Sequence, residues 1–164
     1  CLESMRDFKL KQGDVPLIIK LVENPKYFTS KLFTGAVDLF THDCLHVLLG
    51  RGLLPKDEAF VIGYTMGSKK KMSRLRRKLF LFACRYLYPD GYRFYKEERL
   101  VFDEALKLGN ECPTDLPEVD FKNYLNKSLS EIRLDLGIDT EAIIKYYQKE
   151  KDLFPDSEES QRLL

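Results

Sequence analysis

Tryptophan is missing from this 164-residue chain, histidine occurs only twice, and neither sign of charge prevails. Its 27 Lys and Arg stand against 26 Asp and Glu, a formal net charge of +1. That balance argues against a nucleic-acid binder working through overall charge. Long apolar runs are also lacking, and none approaches the roughly 20 residues needed to span a bilayer. The N-terminus, Cys1-Leu2-Glu3-Ser4, carries neither a signal-peptide pattern nor an initiator Met, which leaves room for a lost targeting segment. The four cysteines (Cys1, Cys44, Cys84, Cys112) are scattered, with no C-x-x-C pair. Reduced thiols in a cytosol-like compartment are expected, not a disulfide framework.

Strand-like alternation of convincing length is lacking as well, and what remains is helical. Val15 to Glu23 reads as a short helix ended by Asn24-Pro25. From Tyr27 to Leu49, apolar residues recur at three- and four-residue steps, the mark of an amphipathic helix. Gly50-Arg51-Gly52 stops it. Pro55 suits a first helical position, with Asp57 and Glu58 in the first turn of a third helix through Gly67. Further helices are predicted from Met72 to Tyr88, Tyr95 to Leu108, Val119 to Leu136 with Gly137 as C-cap, and Glu141 to Glu150. Pro113 to Pro117 reads as a loop. The expectation is an all-α, single-domain bundle of six or seven helices over residues 1–154. Residues 155–164 read as a polar, flexible tail.

Both histidines fall in the second predicted helix, as His42-Asp43-Cys44-Leu45-His46, and eleven residues separate His46 from Glu58. A four-residue step is slightly more than one turn, so the imidazoles share a face, with Asp43 on the same side. Such pairs are often mere neighbours. Glu58 adds weight, because the Gly-containing turn lets the second and third helices pack as an antiparallel pair with Glu58 facing the imidazoles. Imidazoles and carboxylates together suit a divalent cation, and facing helices are a recurring place to hold one. His42, Asp43, His46 and Glu58 are the candidate metal ligands. Gly63 and Gly67 would allow close backbone approach or leave room for a ligand beside the metal.

The string His-Asp-x-x-His, eleven residues, Glu resembles the signature of the fourth coenzyme Q (ubiquinone) biosynthesis protein family. His46-Val47-Leu48-Leu49-Gly50 also resembles that family's stretch after the second histidine. The resemblance covers about Phe40 to Gly67. It implies that His42, Asp43, His46 and Glu58 bind zinc and that an apolar groove holds a polyprenyl chain, with the aromatic head group near the metal. The implied activity is carboxy-lyase-type: removal of the ring carboxyl from a polyprenylated hydroxybenzoate, coupled to hydroxylation at that carbon. Donor chemistry alone leaves Fe2+, Co2+ and Mn2+ open. Asp43 can instead orient an imidazole through its other nitrogen. The implied location is peripheral to the inner membrane of a bacterium, on the cytoplasmic side, or on the matrix side of the mitochondrial inner membrane.

Seven cations among Lys69, Lys70, Lys71, Arg74, Arg76, Arg77 and Lys78 precede the apolar run Leu79 to Ala83. They read equally as a solvated helix start or as a surface for anionic lipid; no nucleic-acid module surrounds them. Tyr86, Tyr88, Tyr92, Phe94 and Tyr95 crowd the following turn, more often a packing cluster than a ligand pocket. The partners expected are a prenylated quinone precursor or another isoprenoid lipid, a membrane surface, and other quinone-biosynthesis enzymes, with homo-oligomers open. A non-catalytic isoprenoid-binding scaffold is the alternative function. A His-Asp phosphohydrolase would need further histidines, and a structural metal site would need four closed protein ligands.

Overall fold

In the computed structural model of the protein, residues 39–69, 74–86 and 93–163 are described. The predicted helix at 15–23, the first part of the second, Lys70, Lys71, Tyr88 and Tyr92 lie outside them, as do the side chains at 74, 76 and 77. Among the described residues seven α-helices follow in chain order: α1 (Leu39–Leu49), α2 (Pro55–Ser68), α3 (Arg74–Tyr86), α4 (Lys96–Glu111), α5 (Leu129–Leu136), α6 (Thr140–Leu153) and α7 (Glu158–Gln161). Two 3-10 turns, Leu116–Glu118 and Phe121–Tyr124, lie between α4 and α5. No strand occurs among the described residues, and the architecture is an all-α bundle.

The middle of the bundle is α2. Pro55 starts it, where a missing N–H costs nothing, and Asp57 accepts from the Leu54 N–H at 3.1 Å to cap the first turn. Downstream, Ala59, Phe60, Val61 and Gly63 through Ser68 are buried. A helix apolar nearly all round belongs in the interior. Its main partner is α4, and small residues set how close the two come. A Cβ on Gly63 would sit 2.6 Å from the Phe102 carbonyl oxygen. Gly67 faces the Leu106 carbonyl, and Gly109 of α4 faces Tyr64. Gly63 and Gly67 thus serve helix–helix approach, the first of the two roles their spacing allowed.

Predicted boundaries differ from the structure at α4, α5 and α6, the last spanning Thr140–Leu153 where 141–150 is predicted. The helix over 95–108 runs on to Glu111, because Gly109 is occupied in packing against α2 and not in ending α4. The single helix predicted from Val119 to Leu136 is a 3-10 turn, a loop and then α5. The break lies at Ser128, whose hydroxyl accepts from the Glu131 N–H (3.3 Å) while the Glu131 carboxylate accepts from the Ser128 N–H (2.8 Å). This reciprocal box starts a helix and does not occur inside one. Gly137, at φ +68°, caps α5 in the left-handed conformation.

Beyond α6 the chain is packed. Ser157 caps the short α7, and Ser160 and Leu163 are buried. Residues 155–163 therefore lie against the bundle, where composition alone reads a polar tail. No described helix is long and apolar enough to cross a membrane.

Candidate metal centre

The histidines sit on α1, and every end carbonyl of that helix is satisfied. Gly50 adopts φ +70°. From that turn the Arg51 N–H reaches the His46 carbonyl at 2.9 Å and the Gly50 N–H reaches Val47 at 3.2 Å. This is the paired closure that a left-handed glycine permits. Arg133 Nε of α5 donates to the Leu48 carbonyl at 2.7 Å, and the Tyr147 hydroxyl of α6 donates to that of Leu49. The four carbonyls a helix leaves unpaired at its C-terminus all have partners. The platform under the imidazoles is firmly held.

Across from it, Glu58 projects from the first turn of α2. Its Oε2 lies 3.4 Å from His42 Nε2 and its Oε1 lies 3.3 Å from His46 Nε2. The two rings meet edge to face, with centroids 4.5 Å apart. One ligand atom from each of His42, His46 and Glu58 falls within 4.8 Å of the others, a group able to hold a metal ion. His46 is 1% exposed, whereas His42 and Glu58 are 27% and 21% exposed, so the group is open on the His42 side.

Charge within the group is unusual. Burial alone would raise the Glu58 carboxyl, yet hydrogen bonding and charge from both imidazoles hold it down at about 2. Burial alone would lower the His46 imidazole, but Glu58, with help from the Gly52 backbone and Asp43, holds it above its ordinary value. Even so, neither nitrogen of His46 completes a well-formed hydrogen bond. Unpaired buried polar atoms are costly, and here one points at a carboxylate shared with a second imidazole. A cation between the three would satisfy His46 Nε2 together with the facing atoms of His42 and Glu58. The donor set fits a divalent metal: two neutral nitrogens and one carboxylate are the ligands of many catalytic zinc and non-haem iron sites.

Asp43 stands outside this group. Its carboxyl is half-buried, and burial, with a smaller push from Glu58, raises its pKa against the pull of the two imidazoles. Of the four sequence candidates, the structure gathers His42, His46 and Glu58 into one cluster and leaves Asp43 beside it.

Sequence reasoning passed over the residues behind the cluster. Arg51 is fully buried and donates from Nη1 and Nη2 to the two oxygens of Glu150, at 3.0 and 2.6 Å. Glu150 also accepts from Ser160 Oγ at 3.0 Å. Arg51 Nη1 lies 3.8 Å from Asp57 Oδ1, and Asp57 accepts from Arg162 through its other oxygen. An Arg directly after a C-capping Gly is the signal the sequence offers, and nothing local names its partner 99 positions away.

Comparison of the chain with protein-family models, curated proteins and solved structures gave no match, so the cluster's chemistry rests on its own geometry.

Proposed function

We propose that the protein is a metal-dependent enzyme of prenyl-quinone (ubiquinone) biosynthesis. In this reading it binds a polyprenylated hydroxybenzoate and promotes loss of the ring carboxyl. The observation that carries the metal-dependent part is Glu58 presenting one oxygen to each of two imidazoles, one of them buried without a completed hydrogen bond. The substrate class is supported by the resemblance of the His42-to-Glu58 string alone.

A divalent ion, zinc by that resemblance, would supply Lewis acidity toward a phenol or carboxylate oxygen. His42, His46 and Glu58 would hold it, leaving positions free for substrate. Their part is to fix its place at the meeting of α1 and α2 and to keep the His42 side open to a ligand. Buried His46 excludes water from the back of the site. In simple decarboxylation the phenol oxygen releases electron density into the ring and the carboxyl-bearing carbon takes a proton; the ring–carboxyl bond then breaks, carbon dioxide leaves and the bonding pair restores the aromatic ring. Hydroxylation there would consume dioxygen or another oxygen donor from outside the chain. Asp43, beside the cluster, would orient a neighbouring imidazole.

Contact with a lipid surface is part of the same proposal. A cleft of about 450 Å³ beside α3 and α4 is lined by Lys78, Arg85 and Arg99 together with Phe82, Tyr86 and Tyr95, and no acidic side chain among the described residues lines it. Exposed aromatics among cations suit the interface of an anionic membrane.

The alternative is a non-catalytic scaffold that presents isoprenoid intermediates to partner enzymes. The Glu58→Ala variant separates the two. With metal-loaded protein and a prenylated 4-hydroxybenzoate carrying a labelled carboxyl, the enzyme reading expects release of labelled carbon dioxide from wild type and none from the variant. Equal binding of the lipid by both proteins, with no release from either, would favour the scaffold.

A further inference from the structure

Arg51 reaches both ends of the α1–α2 connection, one through its backbone and the other through its side chain. Its backbone N–H closes the turn by bonding the carbonyl of His46 itself. Its side chain turns inward, where the guanidinium carbon lies 4.1 Å from the Phe60 ring centre and 4.3 Å from that of Tyr147. There it grips Glu150 with both terminal nitrogens and approaches Asp57, the residue immediately before Glu58. Asp57 is held in turn by the Leu54 N–H and by Arg162. One cation therefore joins the end of the histidine helix, the start of the glutamate helix and the interior face of α6.

Stability alone does not account for this arrangement. Removing two full charges from water is expensive, and buried ion pairs replaced by apolar residues of like shape often leave a protein as stable or more so. What a bidentate pair supplies over an apolar contact is a fixed direction and distance. The 3.3 and 3.4 Å separations between Glu58 and the two imidazoles call for that precision.

We infer that Arg51, locked by Glu150, is a positioning residue for the metal centre: it sets the register of α1 against α2 and so the ligand geometry at His42, His46 and Glu58. This inference rests on reading that cluster as a metal site. It adds that the affinity and coordination geometry of the site depend on a residue that touches no ligand side chain.

The test compares the full-length chain with its Arg51→Met/Glu150→Leu double variant, both stripped with chelator. Zn2+ affinity is measured by competition with a chromophoric chelator, and coordination geometry by the visible absorption of the Co2+-loaded protein. The expected result is a double variant with wild-type helical circular dichroism and a metal-free melting temperature at or above that of wild type. Its Zn2+ affinity should be about 10- to 100-fold weaker, the range for residues that orient ligands without binding the ion. Its Co2+ bands should shift in position or intensity, which a change in stability alone would not produce. Equal affinity with an unchanged Co2+ spectrum would overturn the inference while leaving the metal site standing. A wild-type protein that takes up no metal would overturn both, and the two failures are thereby told apart. If the double variant loses its helical signal, Glu150→Gln, which keeps shape and volume, carries the same comparison with the same two outcomes.

Discussion

His46 Nε2 and Glu58 Oε1 lie 3.3 Å apart, one on each of two helices joined by five residues, and the histidine is almost wholly buried. Without a metal the two form an ion pair that depends on protonation of the imidazole. A metal bound between them would make them fellow ligands, and the proton would have to leave.

The metal-free protein should therefore show a stability window in pH. The folded-state pKa of Glu58 is lowered from 4.5 to about 2, so its contribution is present above 4.5 and is lost as pH falls toward 2. The folded-state pKa of His46 is raised above 6.5, so its contribution is present below 6.5 and is lost as pH rises through the raised value. Both act together between about 4.5 and 6.5. Urea unfolding in chelator should find wild type more stable than Glu58→Gln by about 1.5–3 kcal/mol in that window, the range for hydrogen bonds to charged groups. The gap should narrow on either side, and a gap independent of pH would contradict the pairing.

His42→Ala should leave the fold intact, because that side chain is 27% exposed and rests at the open edge of the cluster. Zn2+ affinity should fall by about 100-fold or more, since even residues that only orient a ligand contribute roughly 10- to 100-fold. Calorimetric titration with a competing chelator measures the loss, and circular dichroism checks the fold.

Two glycines should respond to alanine for different reasons. Gly63→Ala places a methyl 2.6 Å from a backbone oxygen of α4, and overpacking of that kind costs about 1–3 kcal/mol. Gly50→Ala meets nothing within 4 Å, yet must hold φ +70°, at a cost of about 1–2 kcal/mol. Urea midpoints measure both. Only Gly50→Ala should also weaken metal binding, because it alone loosens the turn that ends the histidine helix.

Much of this was legible in local pattern. The four-residue step between His42 and His46 places both rings on one face, and the Gly50 turn followed by Pro55 brings the next helix back with Glu58 in its first turn. Asp43 shares that stretch but stays outside the cluster, because adjacent helical positions diverge by about 100°. The Arg51–Glu150 pair joins positions 99 apart, and no periodicity carries information over that distance. The docking of residues 155–163 is hidden for the same reason. Their acidic composition suggests solvent, while two of their partners, Lys56 and Asp57, lie at the other end of the described chain.

The start of α5, which the helix predicted over 119–136 runs through, is testable. Ser128→Ala removes one arm of the Ser128–Glu131 box and should cost about 1 kcal/mol, read as a lower urea midpoint with no change in metal affinity.

X-ray absorption at the metal edge of Zn2+-loaded protein addresses the core of the account most directly. The expected result is one ion per chain with two imidazole nitrogens and a carboxylate oxygen at about 2.0–2.2 Å, plus a light exchangeable ligand. Wild-type protein that binds no zinc, or binds it with a shell unchanged by Glu58→Gln, would contradict it.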